Sequence, residues 1–186
     1  NENAANRYSY IGEGYSIGEN KRKKDILHGL NKEWRELHDK GYMHIHDLDA
    51  YGLTYNCLTF NLLQDFPYDK FDGYSQERKV IGYYDYLKNL FTDIGNEQSG
   101  GMALANYDND SADIFERLHV DVFANEAIIR ACTADLIEWC SNTHTRMGQT
   151  SYYVTLNIGL AKNAAAIKIA CILLEEFANS GVHILS

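Results

Sequence analysis

The sequence predicts an α/β fold in which helices alternate with short, parallel strands. Three observations carry this. Apolar residues recur at three- and four-residue spacing over 25–40, 80–94 and 163–179. Short extended runs lie between these segments, at 42–47 and 152–158. The order helix, strand, helix, strand, helix leaves room for the crossovers that parallel pairing needs. With 186 residues, 45% of them hydrophobic, the chain fits one domain or part of a larger one.

Residues 1–20 are rich in Asn, Gly, Ser and Tyr and read as an irregular arm. The first helix spans Asp25–Lys40, with Ile26, Leu27, Leu30, Trp34 and Leu37 on one face, and Gly41 ends it as a C-cap glycine. Lys21–Lys24 reads as its solvated start, with phosphate contact as the alternative. The run 42–47 is strand-like. Leu53–Leu63 is a largely apolar run and fits a buried strand or a helix start equally. Asp65–Gly73 is a loop punctuated by Pro67 and Gly73. Val80–Ile94 is the second helix, with Tyr83, Tyr84 and Tyr86 as packing and surface residues. A glycine-rich turn, Gln98-Ser99-Gly100-Gly101, leads to a short segment ending at Tyr107-Asp108. A long helix, with a break allowed, spans Ser111–Trp139, and 142–148 is a polar loop. Tyr152–Ile158 alternates with β-branched and aromatic residues and is a strand. Asn163–Asn179 is the last helix, closed by Gly181, and 182–185 approaches a further strand.

The net charge of −9 argues against a general nucleic-acid surface, though one local cationic pocket for a nucleotide remains compatible with it. No run reaches membrane-spanning length. The polar start carries no signal-peptide pattern and lacks a methionine. Cys57, Cys132, Cys140 and Cys171 form no CxxC pair, so reduced thiols in a cytoplasmic protein are expected. Cys132, Cys140 and Cys171 fall in helical patterns and read as packing residues.

The densest chemistry lies at His44-Ile45-His46-Asp47, followed by Asp49. On a strand, His44 and His46 share a face. Such a pair can hold a divalent metal, bind a polyanion or orient a sugar hydroxyl, or it can be two satisfied polar groups in a sheet. Ten positions on, Asn56-Cys57 sits in an apolar run. Cys57 alone reads as a small core residue as readily as a nucleophile, whereas the amide of Asn56 must find partners wherever it is buried. Arg146-Met147-Gly148-Gln149-Thr150, with Thr155 and Asn157 after it, is either a close backbone approach or a tight turn. The Gly100-Gly101 loop carries the same two readings, and it is not a Walker loop.

Taken in order, five blocks resemble the anaerobic (class III) ribonucleoside-triphosphate reductases, a glycyl radical enzyme family. They are Asn1-Glu2-Asn3-Ala4; His38 to Asp49; Asn56-Cys57 with Asn61-Leu62-Leu63; Gln98 to Gly101 with Asn106-Tyr107-Asp108; and Gly148-Gln149-Thr150 running into 154–159. The resemblance implies a ten-stranded α/β barrel, of which residues 1–186 are an N-terminal portion, and a homodimer of such barrels. It implies reduction of ribonucleoside triphosphates to deoxyribonucleotides. A glycyl radical, made by an S-adenosylmethionine/iron-sulfur activase, generates a thiyl radical that takes the 3′ hydrogen of the ribose. Cys57 matches the cysteine on the opposite face of the sugar, which helps expel the 2′ hydroxyl as water. His44, His46 and Asn56 match the substrate pocket, as positioning groups with no metal. Nucleotide effectors, ATP among them, would bind at the dimer interface near residues 75–110.

The chain departs from the family at Ser151-Tyr152, where Pro-Phe usually follows Gln-Thr. It carries no Arg-x-x-Gly-Tyr segment, no four-cysteine zinc cluster and no ATP-cone, and none of Cys132, Cys140 and Cys171 matches the thiyl cysteine. The expectation is therefore a fragment without turnover of its own. Two other functions fit parts of the sequence. One is a metal-dependent hydrolase built on His44 and His46. The other is a non-catalytic nucleotide-binding or dimerisation module.

Overall fold

A computed structural model describes residues 10–46, 48, 55–95, 97, 100–145, 150–151 and 153–181. Seven helices and two small sheets make up these residues. The helices are α1 (Tyr10–Gly29), α2 (Lys32–Asp39), α3 (Leu62–Asp65), α4 (Gln76–Gly95), α5 (Tyr107–Arg117), α6 (Glu126–Asn142) and α7 (Ala164–Asn179). The strands are β1 (Leu58–Phe60), β2 (Met102–Leu104), β3 (His144–Thr145), β4 (Thr150–Ser151) and β5 (Val154–Leu156).

The expected parallel pairing is present. β1, β2 and β5 form one sheet in that order, with Leu58 opposite Met102 and Met102 opposite Val154. β3 and β4 form an antiparallel pair, β3 within the stretch expected to be a polar loop and β4 just after it. α4 packs on α6, α6 on α7 and α5 on α7. On α4 the predicted periodicity is realised: Val80, Tyr83, Tyr84, Leu87 and Phe91 are buried at three- and four-residue spacing. Tyr83 and Tyr84 sit in the core, Tyr86 at its edge, as expected of packing residues.

The N-terminal region corrects the sequence reading. A helix begins at Tyr10, inside the supposed arm, so Lys21–Lys24 lies mid-helix, with Lys21 paired to Asp25 at 2.6 Å. The single helix expected over 25–40 is broken at Leu30-Asn31. Leu30 separates the two helices and Asn31 caps the second, its Oδ1 accepting the Glu33 N–H at 2.8 Å, which suits an N-cap better than a helix interior. α2 buries none of its residues, and Trp34 is 54% exposed. The face of Ile26, Leu27, Leu30, Trp34 and Leu37 is therefore not part of the core, which gathers between Leu62 and Leu173.

Gly41 behaves as expected. Its φ of 75° lets the Gly41 N–H bond the His38 carbonyl at 3.0 Å and the Tyr42 N–H the Leu37 carbonyl at 2.9 Å. This is a Schellman motif. The strand expected after it is not formed: residues 42–46 make no ladder, and Asp47 lies outside the described residues. The long helix of Ser111–Trp139 is two helices. His119, at φ 56°, takes the left-handed position of a second Schellman motif, with Val120 N–H to Phe115 O at 2.8 Å and His119 N–H to Glu116 O at 2.9 Å. Non-glycine residues rarely occupy that conformation, so no sequence signal marked the stop. Leu53–Leu63 resolves into both options at once, β1 followed by α3, and the loop after it contains a 3₁₀ turn, Tyr68–Phe71. α7 follows the prediction, with Asn163 capping Ala166 N–H at 2.8 Å and Gly181 at φ 67°. Residues 182–185 lie outside the described residues.

Candidate active site

Three parallel strands begin side by side, so the residues just before them form one edge. These are Asn56-Cys57 before β1, Gly100-Gly101 before β2 and Tyr153 before β5. Backbone bonds pin the edge: Leu58 N–H to Gly101 O at 3.0 Å and Met102 N–H to Tyr153 O at 2.9 Å. Cys57 is exposed, one residue ahead of the first of these bonds, and its thiol lies 3.8 Å from Asn56 Oδ1. It is therefore not a small core residue of this chain. Asn56 is exposed as well, so its amide has no burial cost to meet.

Gly100 decides between close approach and tight turn. A Cβ built on it would stand 2.0 Å from Asn56 O and 2.4 Å from Asn56 Oδ1. Its φ is not among the positive ones, so the reason for glycine here is space and not backbone conformation. A Cβ on Gly101 would meet the Tyr153 ring at 2.4 Å. Gln98, Ser99 and 146–149 lie outside the described residues.

His44 and His46 sit on the irregular segment after Gly41. Both are exposed, with ring centroids 5.8 Å apart at 60°. They are thus near each other, but the strand whose alternation was expected to align them is not formed. A third ring, His38 of α2, lies 5.8 Å from His44 at 31°, and its Nδ1 accepts the Ile45 N–H at 3.1 Å. Sequence reasoning passed over His38 as a site residue. The available signal was its place in the last turn of a helix that a C-cap glycine ends. Between the two pairs, only Leu48 of residues 47–54 is described, and it is buried. Asp47 and Asp49 lie outside the described residues. Among the described residues no group of three His, Cys, Asp or Glu side chains is arranged to hold a metal ion.

The opposite end of the sheet is rigidified by buried polar groups. The N-terminal turn of α5 and the segment after β5 are tied by Gly159 N–H to Asp108 Oδ2 at 3.0 Å, Asn109 Nδ2 to Leu160 O at 3.1 Å, and Lys162 N–H to Asn109 Oδ1 at 2.8 Å. Tyr107 N–H to Asn157 O at 2.9 Å continues the clamp. Burial, with Asp113 and Asp108 nearby, raises the Asp110 carboxyl above its ordinary value, and Lys162 opposes this.

The other thiols differ from Cys57. Burial raises Cys132, and raises Cys140 to about 12, as fits residues packed on the core. Cys171 corrects its expectation: it is exposed, on the face of α7 opposite the buried Ala166, Ile169, Ile172 and Leu173.

An exposed cysteine thus stands at the edge of a parallel sheet, beside a close-packed glycine. The chain belongs to the anaerobic ribonucleoside-triphosphate reductase family, whose model matches residues 2–181. It is thus related to a family of oxidoreductases that act on ribonucleotides. A comparison with individually curated proteins gave no match. No described helix is long and apolar enough to cross a membrane.

Proposed function

We propose that this chain forms the N-terminal part of the catalytic barrel of an anaerobic ribonucleoside-triphosphate reductase, with β1, β2 and β5 as barrel strands. The thiyl cysteine and the radical glycine belong to a part of the enzyme beyond residues 1–186, and the activase supplies the S-adenosylmethionine and iron–sulfur chemistry. Cys57 faces the ribose from the side opposite the thiyl and delivers the proton with which the 2′ hydroxyl leaves as water. His44, His46 and Asn56 hydrogen-bond the substrate and hold it in place. The functional unit is a cytoplasmic homodimer regulated by nucleotides, and this portion alone does not turn over.

The single observation that carries the reading is the exposed Cys57 thiol at the sheet edge, in a chain matched to this family over residues 2–181. Physical reasoning adds a second support. Radical chemistry on a ribose needs groups held at fixed distances, because effective molarity collapses with small misplacement. A residue adjacent to a ladder bond, backed by a glycine contact, meets that demand.

The test is Cys57→Ala in the complete enzyme, activated anaerobically by its activase. The glycyl radical should form at its normal electron paramagnetic resonance intensity while deoxynucleotide production disappears. Normal product formation would end the assignment of Cys57.

A further inference from the structure

We infer that His38 is a positioning residue that holds the His44–His46 pair in place through the backbone between them. The substrate side of this inference rests on the proposed function; the structural side does not.

Ile45 lies between the two histidines, half-buried, on a segment that forms no ladder. A backbone N–H in such a place needs an acceptor, and a strand would provide a neighbouring carbonyl. Here the acceptor is a side chain: His38 Nδ1, at 3.1 Å. An imidazole that accepts at Nδ1 carries its proton on Nε2, so the contact also selects a tautomer. His38 is itself well anchored. It belongs to the last turn of α2, and its carbonyl takes the Gly41 N–H of the Schellman motif at 3.0 Å. The rings then run in a row, His38 to His44 at 5.8 Å and His44 to His46 at 5.8 Å. His38 is the member of the row fixed to a helix, and it holds the Ile45 backbone that joins the other two.

This arrangement accounts for how two exposed imidazoles can be preorganised without a strand. Losing the acceptor frees the Ile45 N–H to water and lets the segment 42–46 sample other conformations. The loss should appear in ground-state binding and not in the chemical step, because His38 acts on the groups that hold the substrate.

The experiment compares His38→Ala and His38→Asn with wild type. Asn is the conservative variant, because its Oδ1 can take the place of Nδ1 as acceptor while the ring is lost. Hydrogen–deuterium exchange of this chain reads the peptide covering 42–46. Steady-state kinetics of the complete, activated enzyme reads KM and kcat for a ribonucleoside triphosphate. His38→Ala should exchange faster over 42–46 and raise KM about 3- to 10-fold, the equivalent of one neutral hydrogen bond, with kcat within about 2-fold. His38→Asn should restore both toward wild type. Unchanged exchange in His38→Ala overturns the anchoring, and faster exchange with an unmoved KM overturns the positioning role. Failure of the reductase reading would show instead as no deoxynucleotide formation by the wild-type activated enzyme, and the exchange result would be independent of it.

Discussion

Gly100→Ala tests whether the edge of the parallel sheet is built around the backbone of Asn56-Cys57. The added methyl would stand 2.0 Å from Asn56 O, 2.4 Å from its Oδ1 and 2.6 Å from its carbonyl carbon. Ordinary contact begins at 3.4 Å, so the two segments must part by more than an ångström. Two of the three atoms are backbone, so no side-chain rotation relieves the clash. The next residue is Cys57, whose successor Leu58 is tied to Gly101 O at 3.0 Å. Separation therefore either displaces the thiol or breaks that bond. Overpacking of this kind costs about 1–3 kcal/mol of stability. A displacement of roughly 1 Å at a reacting group costs about 100-fold in rate. Gly101→Ala is the control. Its methyl would meet the ring of Tyr153 at 2.4 Å, but that side chain is 56% exposed and can swing away. Its effect should stay within about 0.5 kcal/mol. The assay is deoxynucleotide formation by the complete, activated enzyme, with thermal unfolding measured alongside. Wild-type activity and wild-type melting in Gly100→Ala would refute the reasoning. Equal damage from both variants would refute the distinction between backbone and side-chain relief.

Two further outcomes are expected. Asp108→Ala removes the acceptor of the Gly159 N–H and of the Asn109 N–H in a buried site, so denaturant unfolding should show a loss of about 1–3 kcal/mol; an unchanged midpoint would mean the clamp is not needed. Under native conditions Cys57 and Cys171 should react quickly with a disulfide reagent and the partly buried Cys140 far more slowly, because burial raises its thiol from 9.0 to about 12. Between those values the unfolded chain releases a proton that the folded chain keeps, so the Cys140 contribution to stability is whole below pH 9 and falls as pH rises through that window. Rapid labelling of Cys140 in the folded protein would contradict its burial.

What could be read along the chain is what neighbouring residues determine among themselves. The spacing of Val80, Tyr84, Leu87 and Phe91 specifies α4 because a helix repeats every few residues. Gly41 and Asn163 mark a helix end and a helix start by their own conformational and capping chemistry. Alternation identified β5, and the helix–strand order gave parallel pairing. Asn56-Cys57 and His44/His46 stood out because amide, thiol and imidazole groups carry hydrogen-bonding and nucleophilic chemistry.

Tertiary structure decided the rest, where partners distant in sequence set the outcome. β2 is three residues long, too short to show a period, and exists because β1 and β5 flank it. The histidine segment has strand-like composition but no ladder among the described residues, and the Ile45 N–H finds its acceptor on a side chain seven residues earlier. The need for glycine at position 100 comes from Asn56, more than forty residues away. Periodicity and capping are local energies and are written in order along the chain. Strand partnership, steric clearance and the exposure of a thiol depend on which distant backbone arrives alongside, and only the folded arrangement determines that.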